Sequence, residues 1–216
     1  MPFEENMVYS EMETDESGSI EAIRRQEFTL FALISEILGN LTGNKISVLL
    51  NLTDKSLIIY HNDNGFTDKD KKAIRKKYCS NKNGAGINGI GIRITFDRFS
   101  DNERKTVIRS KNETSSQKIY FLMNKEQPSW KVSNWNDFSE EDHSIFTKYS
   151  ESEKSGTLIV IPLNDKYFEE LTNNNRLKSL CKKVFNTGIY QKEIDFTCNN
   201  EKLTASVPIC HNGVLL

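Results

Sequence analysis

Apolar residues change their period several times along this chain, and each change marks an element. Phe28, Phe31, Leu33, Ile34, Ile37, Leu38 and Leu41 recur at helical spacing. They predict an opening helix from about Glu27 that stops near Gly43-Asn44, a helix-ending pair. Ile46, Val48, Leu50 and Leu52 then alternate with other residues, as in a strand. A turn at Thr53-Asp54-Lys55 leads into a second strand, Leu57-Ile58-Ile59-Tyr60, which runs into the turn sequence Asp63-Asn64-Gly65. Thr67 is placed to cap a basic helix reaching about Tyr78, with Asp68 and Asp70 in its first turn.

Farther on, Ser80 to Gly86 reads as a loop, and another helix is predicted from near Ile87 to near Phe99. Residues 105–150 read as β-hairpins with polar loops. Thr106-Val107-Ile108 and Lys118-Ile119-Tyr120-Phe121-Leu122 are their strand cores. Thr157 to Leu163 is an apolar strand, Asp165 to Phe185 is helical, and Ile194–Cys198 pairs with Leu203–Val207 across Asn199-Asn200-Glu201-Lys202. Residues 1–20 are rich in Glu, Asp, Ser and Met without a period. They are expected to be a flexible acidic arm, or a strap that orders only against a partner. Residues 21–216 show no repeat and no linker and are expected to form one domain.

Composition narrows the class. Of 216 residues, 37% are hydrophobic, enough for one core, and 27% are charged, as expected of a soluble surface. A net charge of −1 offers no general attraction to nucleic acid, so a nucleic-acid partner stays open without being indicated. No apolar run is long enough to span a bilayer, and no membrane partner is expected. The N-terminus is too acidic and polar for a signal or transit peptide. Cys79, Cys181, Cys198 and Cys210 form no C-x-x-C pair and no zinc spacing, and they read as reduced, mostly buried thiols. The expected location is intracellular, cytoplasmic or nuclear.

Four short motifs carry the chemistry. Glu36 and Asn40 lie four apart, so a helix places them on one face, which is otherwise apolar. A carboxylate there fits a general base beside a magnesium-binding amide, or simply an exposed Glu and a helix-terminal Asn. Asp63 ends a strand two residues before Gly65, where a carboxylate can accept from an exocyclic amine and a glycine lets a flat ring approach. It also fits an ordinary turn. Gly84-Ala85-Gly86-Ile87-Asn88-Gly89-Ile90-Gly91, followed by an apolar helix, suggests backbone N–H groups aimed at an anion. The polar segment before it excludes a Rossmann turn, and no G-K-[ST] follows. Gly156-Thr157 opens an apolar strand and puts a hydroxyl where it can meet a pocket carboxylate or a base. The basic stretch Lys69, Lys71, Lys72, Arg75, Lys76 and Lys77 reads as a solvated helix face, and His61, His143 and His211 receive no role.

In this order the four motifs resemble those of the GHKL ATPases, the Bergerat-fold family of gyrase B subunits, ninety-kilodalton heat-shock chaperones, histidine kinases, MutL and MORC proteins. The likeness covers roughly residues 27–163. It implies an α+β fold, a two-layer sandwich with a mixed β-sheet and helices on one face. It implies ATP and Mg²⁺ as ligands, with Glu36 activating water and Asn40 on the metal. By the same likeness Asp63 and Gly65 hold adenine, Thr157 supports Asp63, and Gly86, Ile87, Asn88, Gly89, Ile90 and Gly91 line the phosphates in a lid from Phe66 to Gly91. Lys82, in Ser80-Asn81-Lys82, is similar to a lysine just before those glycines in MORC and MutL-like members. Slow hydrolysis, with lid closure coupled to self-association or partner binding, is the implied activity, and a non-hydrolysing switch is its alternative. Two positions depart from the family pattern. Leu41-Thr42-Gly43-Asn44 replaces a small residue and Asp-Ala, and Thr67 stands where a second glycine is usual. A full transducer domain is not expected before Leu216.

Overall fold

Burial along the strands sets the architecture. The computed structural model describes residues 21–22, 24–75, 91–101, 103–124, 129–151, 154–190, 194–205, 210–211 and 214–215. The acidic arm, and the part of the expected lid at 76–90 with Lys82, Gly86, Ile87, Asn88, Gly89 and Ile90, lie outside these residues. In chain order the elements are α1 (Leu30–Leu38), β1 (Lys45–Asn51), β2 (Ser56–His61), α2 (Asp68–Arg75), α3 (Gly91–Phe99), β3 (Thr106–Lys111), β4 (Ser116–Asn124), β5 (Ser129–Val132) and β6 (Asn136–Asp137). There follow α4 (Glu140–Ser150), β7 (Gly156–Pro162), α5 (Asp165–Thr172), α6 (Arg176–Tyr190), β8 (Asp195–Cys198), β9 (Glu201–Lys202), β10 (Cys210–His211) and β11 (Val214–Leu215). One nine-stranded sheet runs β5-β4-β3-β7-β2-β1-β8-β9, with β6 beside β4. Of its pairings, β1–β8 is parallel and the others are antiparallel, which makes the sheet mixed.

Two layers dominate. α1 buries Leu30, Leu33, Ile34, Ile37 and Leu38, α3 buries Phe96 and Phe99, α5 Tyr167 and Leu171, and α6 Leu177 and Cys181. All join one apolar cluster with Ile46, Val48, Leu57, Ile59, Ile108, Phe121, Ile159 and Ile161 from one face of the sheet. The α+β sandwich follows from this pairing of helix stripes with one face of the pleat.

One helix departs from the expected single-sided cover. α4 lies on the opposite face and sets Phe146 against Ile58, Tyr60 and Leu158. Sequence periodicity assigned residues 105–150 to hairpins, yet Ser139 and Asp142 form a capping box and three acids fill the first turn. In the first turn of α4, Asp142 is 2% exposed and accepts from Arg109 Nε at 2.9 Å, from Lys118 Nζ, and from Ser139 Oγ at 2.7 Å. Burial raises the Asp142 pKa, but the Lys118 bond, the Ser139 groups and Arg109 outweigh it and hold the carboxyl well below its usual range.

Other boundaries moved for local reasons. α1 ends at Leu38 rather than near Gly43, because the Asn40 and Leu41 N–H groups turn to the Ile37 and Leu38 carbonyls three residues back. The predicted helix 165–185 is two helices, separated by Asn173–Asn175 with Asn175 at φ 54°. Asn199 and Asn200, at φ 50° and 64°, form a two-residue turn, so Glu201 and Lys202 are strand residues rather than loop. Lys71 is 9% exposed rather than solvated. Its ammonium donates to Ser115 Oγ and Gln117 Oε1, both at 2.9 Å.

Candidate functional site

The fold gathers the motifs at one end of the sheet. Residue His61 at the end of β2 pairs with Ile46 at the start of β1 and with Thr157 at the start of β7. Ser110 and Lys111, at the end of β3, pair with Thr157 and Gly156. α1 points its C-terminus at the same end, since residues 39–44 lead directly into β1.

Asp63 stands just past β2, its side chain 12% exposed. Thr157 Oγ1 donates to it at 3.0 and 3.2 Å, and the Gly65 N–H donates at 3.1 Å. Thr157 is fully buried, so the strand itself fixes this hydroxyl. Ser155 Oγ donates to the Asp63 carbonyl at 2.9 Å. Gly65 has φ 67°, and a Cβ there would stand 2.4 Å from the Lys111 carbonyl oxygen. Only glycine fits this close approach of the turn to β3. The next N–H, that of Phe66, donates to Ser110 Oγ at 2.6 Å.

Glu36 and Asn40 form the second group. The Asn40 side-chain amide donates to the Glu36 backbone carbonyl at 2.5 Å and to Glu36 Oε1 at 3.3 Å. Asn40 therefore lies beyond the helix but remains beside Glu36, satisfying one of the carbonyls that a helix end leaves open. Gly91, the first residue of α3, packs directly on this carboxylate. A Cβ on Gly91 would stand 2.0 Å from Glu36 Oε1.

Loop 39–44 links the two groups. The His61 ring, 3% exposed, donates through Nδ1 to the Thr42 carbonyl at 3.0 Å, and Nδ1 stands 3.6 Å from Asp63 Oδ2. Asn62 Oδ1 accepts from the N–H groups of Asn44 and Lys45 at 3.0 and 2.8 Å. Sequence reasoning gave His61, Asn62, Ser110 and Ser155 no part here. Apart from Asp63, two residues from His61, their partners are 17 to 92 positions away, so no local pattern announces them. Thr67 is exposed and caps α2: its Oγ1 accepts from the Asp70 N–H at 3.3 Å, and its own N–H donates to Asp70 Oδ2 at 3.0 Å.

The first part of the expected lid is tied to the sheet. Asn112 Nδ2 donates to the Phe66 carbonyl at 3.2 Å and Trp135 Nε1 to the Lys71 carbonyl at 3.1 Å, in addition to the Ser110 and Lys71 bonds. Any closing movement that includes residues 66–75 has to break these.

Among the described residues, no group of three or more His, Cys, Asp or Glu is placed to hold a metal ion, and no helix is long and apolar enough to cross a membrane. Comparison of the chain with protein-family models and with curated proteins found no match.

Proposed function

We propose that this chain is a Mg²⁺-dependent ATP-binding domain of the GHKL kind with slow hydrolysis. The observation that carries this reading is the Asp63 carboxylate, oriented by Thr157 and Gly65 at the sheet end where Glu36 and Asn40 meet Gly91. The donor set fits the ligand. A carboxylate offers about four acceptor sites, so Asp63 retains capacity for an exocyclic amine beyond its bonds to Thr157 and Gly65. Asn40 provides an amide oxygen, the hard ligand type magnesium takes together with phosphate oxygens and waters.

In this reading Asp63 accepts from the adenine amine and Thr157 keeps it from rotating. Glu36 takes a proton from the attacking water, and Asn40 holds the carboxylate in position as well as offering its oxygen to the metal. Bound Mg²⁺ supplies neutralisation of phosphate charge. The glycine segment ending at Gly91 supplies N–H groups to the phosphates, and its approach to Glu36 couples lid position to the base. Self-association or partner binding would then follow nucleotide state.

Calorimetry with ATP and Mg²⁺ on the wild type and Asp63→Asn, with phosphate release followed on the same samples, tests the proposal. Wild-type binding that is lost in the variant supports it. Binding without phosphate release replaces the ATPase with a non-hydrolysing switch. A folded wild type that binds no ATP overturns both.

A further inference from the structure

The last residue of β2 touches both halves of the candidate site. β2 is buried throughout and lies between β1 and β7, so His61 is held on both sides, opposite Ile46 and Thr157. Thr157 is the residue that donates to Asp63. The His61 ring is itself buried. A backbone carbonyl can only accept, so the contact with Thr42 fixes a proton on Nδ1. That nitrogen stands 3.0 Å from the Thr42 oxygen and 3.6 Å from Asp63 Oδ2. One imidazole therefore lies against Asp63 and against the loop that follows Asn40.

Thr42 is two residues beyond Asn40, and the chain between them is tightly turned. The Asn40 and Leu41 N–H groups donate back to the Ile37 and Leu38 carbonyls, and the Asn40 amide donates to the Glu36 carbonyl. On the far side of Thr42, Asn62 Oδ1 accepts from the N–H groups of Asn44 and Lys45, and the Asn62 N–H donates to the Lys45 carbonyl at 3.1 Å. Gly43, at φ 93°, is pressed on the same Asn62 side chain. Thr42 spans these two anchorages, with its carbonyl on the imidazole. Thr42 is exposed, so without the Nδ1–H its carbonyl can turn to water. That turn rotates the peptide units that join Thr42 to Asn40.

We propose that His61 is a positioning residue that ties Asp63 to Asn40 through the Thr42 carbonyl, so that nucleotide held at Asp63 meets an Asn40 amide already set for Mg²⁺. The role rests on the Mg²⁺–ATP reading of the site and adds a coupling to it: base recognition and metal binding share one imidazole. His61 then contributes to the extra affinity that Mg²⁺ gives to ATP, and not to the affinity for ATP alone.

Calorimetry of ATP on the full chain, once with Mg²⁺ and once with a chelator, measures that increment as a ratio of two affinities. The side-chain nitrogen of Asn can take the place of Nδ1, whereas that of Gln reaches the place of Nε2. His61→Asn should therefore keep the wild-type ratio to within about twofold, while His61→Gln and His61→Leu lower it about fivefold, the worth of one hydrogen bond. Affinity in chelator should stay the same in all four proteins. The contrast of Asn with Gln decides even where His61→Leu fails to fold. An unchanged ratio in His61→Gln with a native circular dichroism spectrum overturns the coupling and leaves the ATP reading standing. An equal fall in His61→Asn overturns it as well, and so does a loss of affinity in chelator that matches the loss in Mg²⁺. A wild type whose affinity Mg²⁺ does not raise overturns the coupling together with the metal role of Asn40. A folded wild type that binds no ATP overturns it together with the nucleotide site.

Discussion

The two halves of the candidate site are held differently. Asp63 is fixed by strands: Thr157 is fully buried in β7, Gly65 is pressed on β3, and His61 and Ser155 flank the turn. Glu36 is fixed by one amide beyond a helix end and by the bare α-carbon of Gly91. A carboxylate set by a sheet is ready before a ligand arrives. One set by a helix terminus and by the first residue of α3 depends on where α3 begins. In the proposed function the recognition half is thus preorganised, and the reactive half is conditional.

The largest expected effect separates them. Glu36→Gln keeps the shape of the side chain and removes the base, so phosphate release should fall about 100-fold or more while calorimetric affinity is unchanged. Unchanged turnover would sink the assignment of the base. Asp63→Asn should weaken nucleotide binding about 100-fold, because an acceptor for the amine becomes in part a donor facing Thr157. If affinity survives in a variant with a native circular dichroism spectrum, adenine lies elsewhere.

Smaller changes sharpen the contrast. Gly91→Ala favours the helix by up to about 1 kcal/mol yet pushes the Glu36 carboxylate aside. The protein should melt no lower, while turnover drops about tenfold with little change in affinity. A variant with full turnover would show that the Gly91 contact does not matter for reaction. Thr157→Val removes one hydroxyl from Asp63, a loss of about 1 kcal/mol, or roughly fivefold in affinity. An effect on turnover at saturating ATP instead of on affinity would erase the distinction between the halves.

Several elements were legible in the sequence for identifiable reasons. Alternating Ile46, Val48 and Leu50 and the apolar Thr157 to Leu163 run define strands wherever they are placed, because period and β-branching act locally. α4 was not legible as a helix, since its apolar residues Ile145, Phe146 and Tyr149 are few and its strongest signal, the Ser139–Asp142 cap, is a polar one. Nor was the end of α1. Gly43 looks like a terminator, but its positive φ serves a contact with Asn62, where a Cβ would stand 2.6 Å from Oδ1.

By itself the sequence determined the types of most elements, the order of the four motifs and the acid-rich composition of the first twenty residues, because these follow from neighbouring positions. The tertiary structure decided that Thr157 donates to Asp63 across 94 positions, that Glu36 rests against Gly91, that Lys71 is buried and that α4 crosses to the second face. Those contacts depend on strand order and on which side each chain segment crosses the sheet. Both are set by global packing that no local pattern encodes.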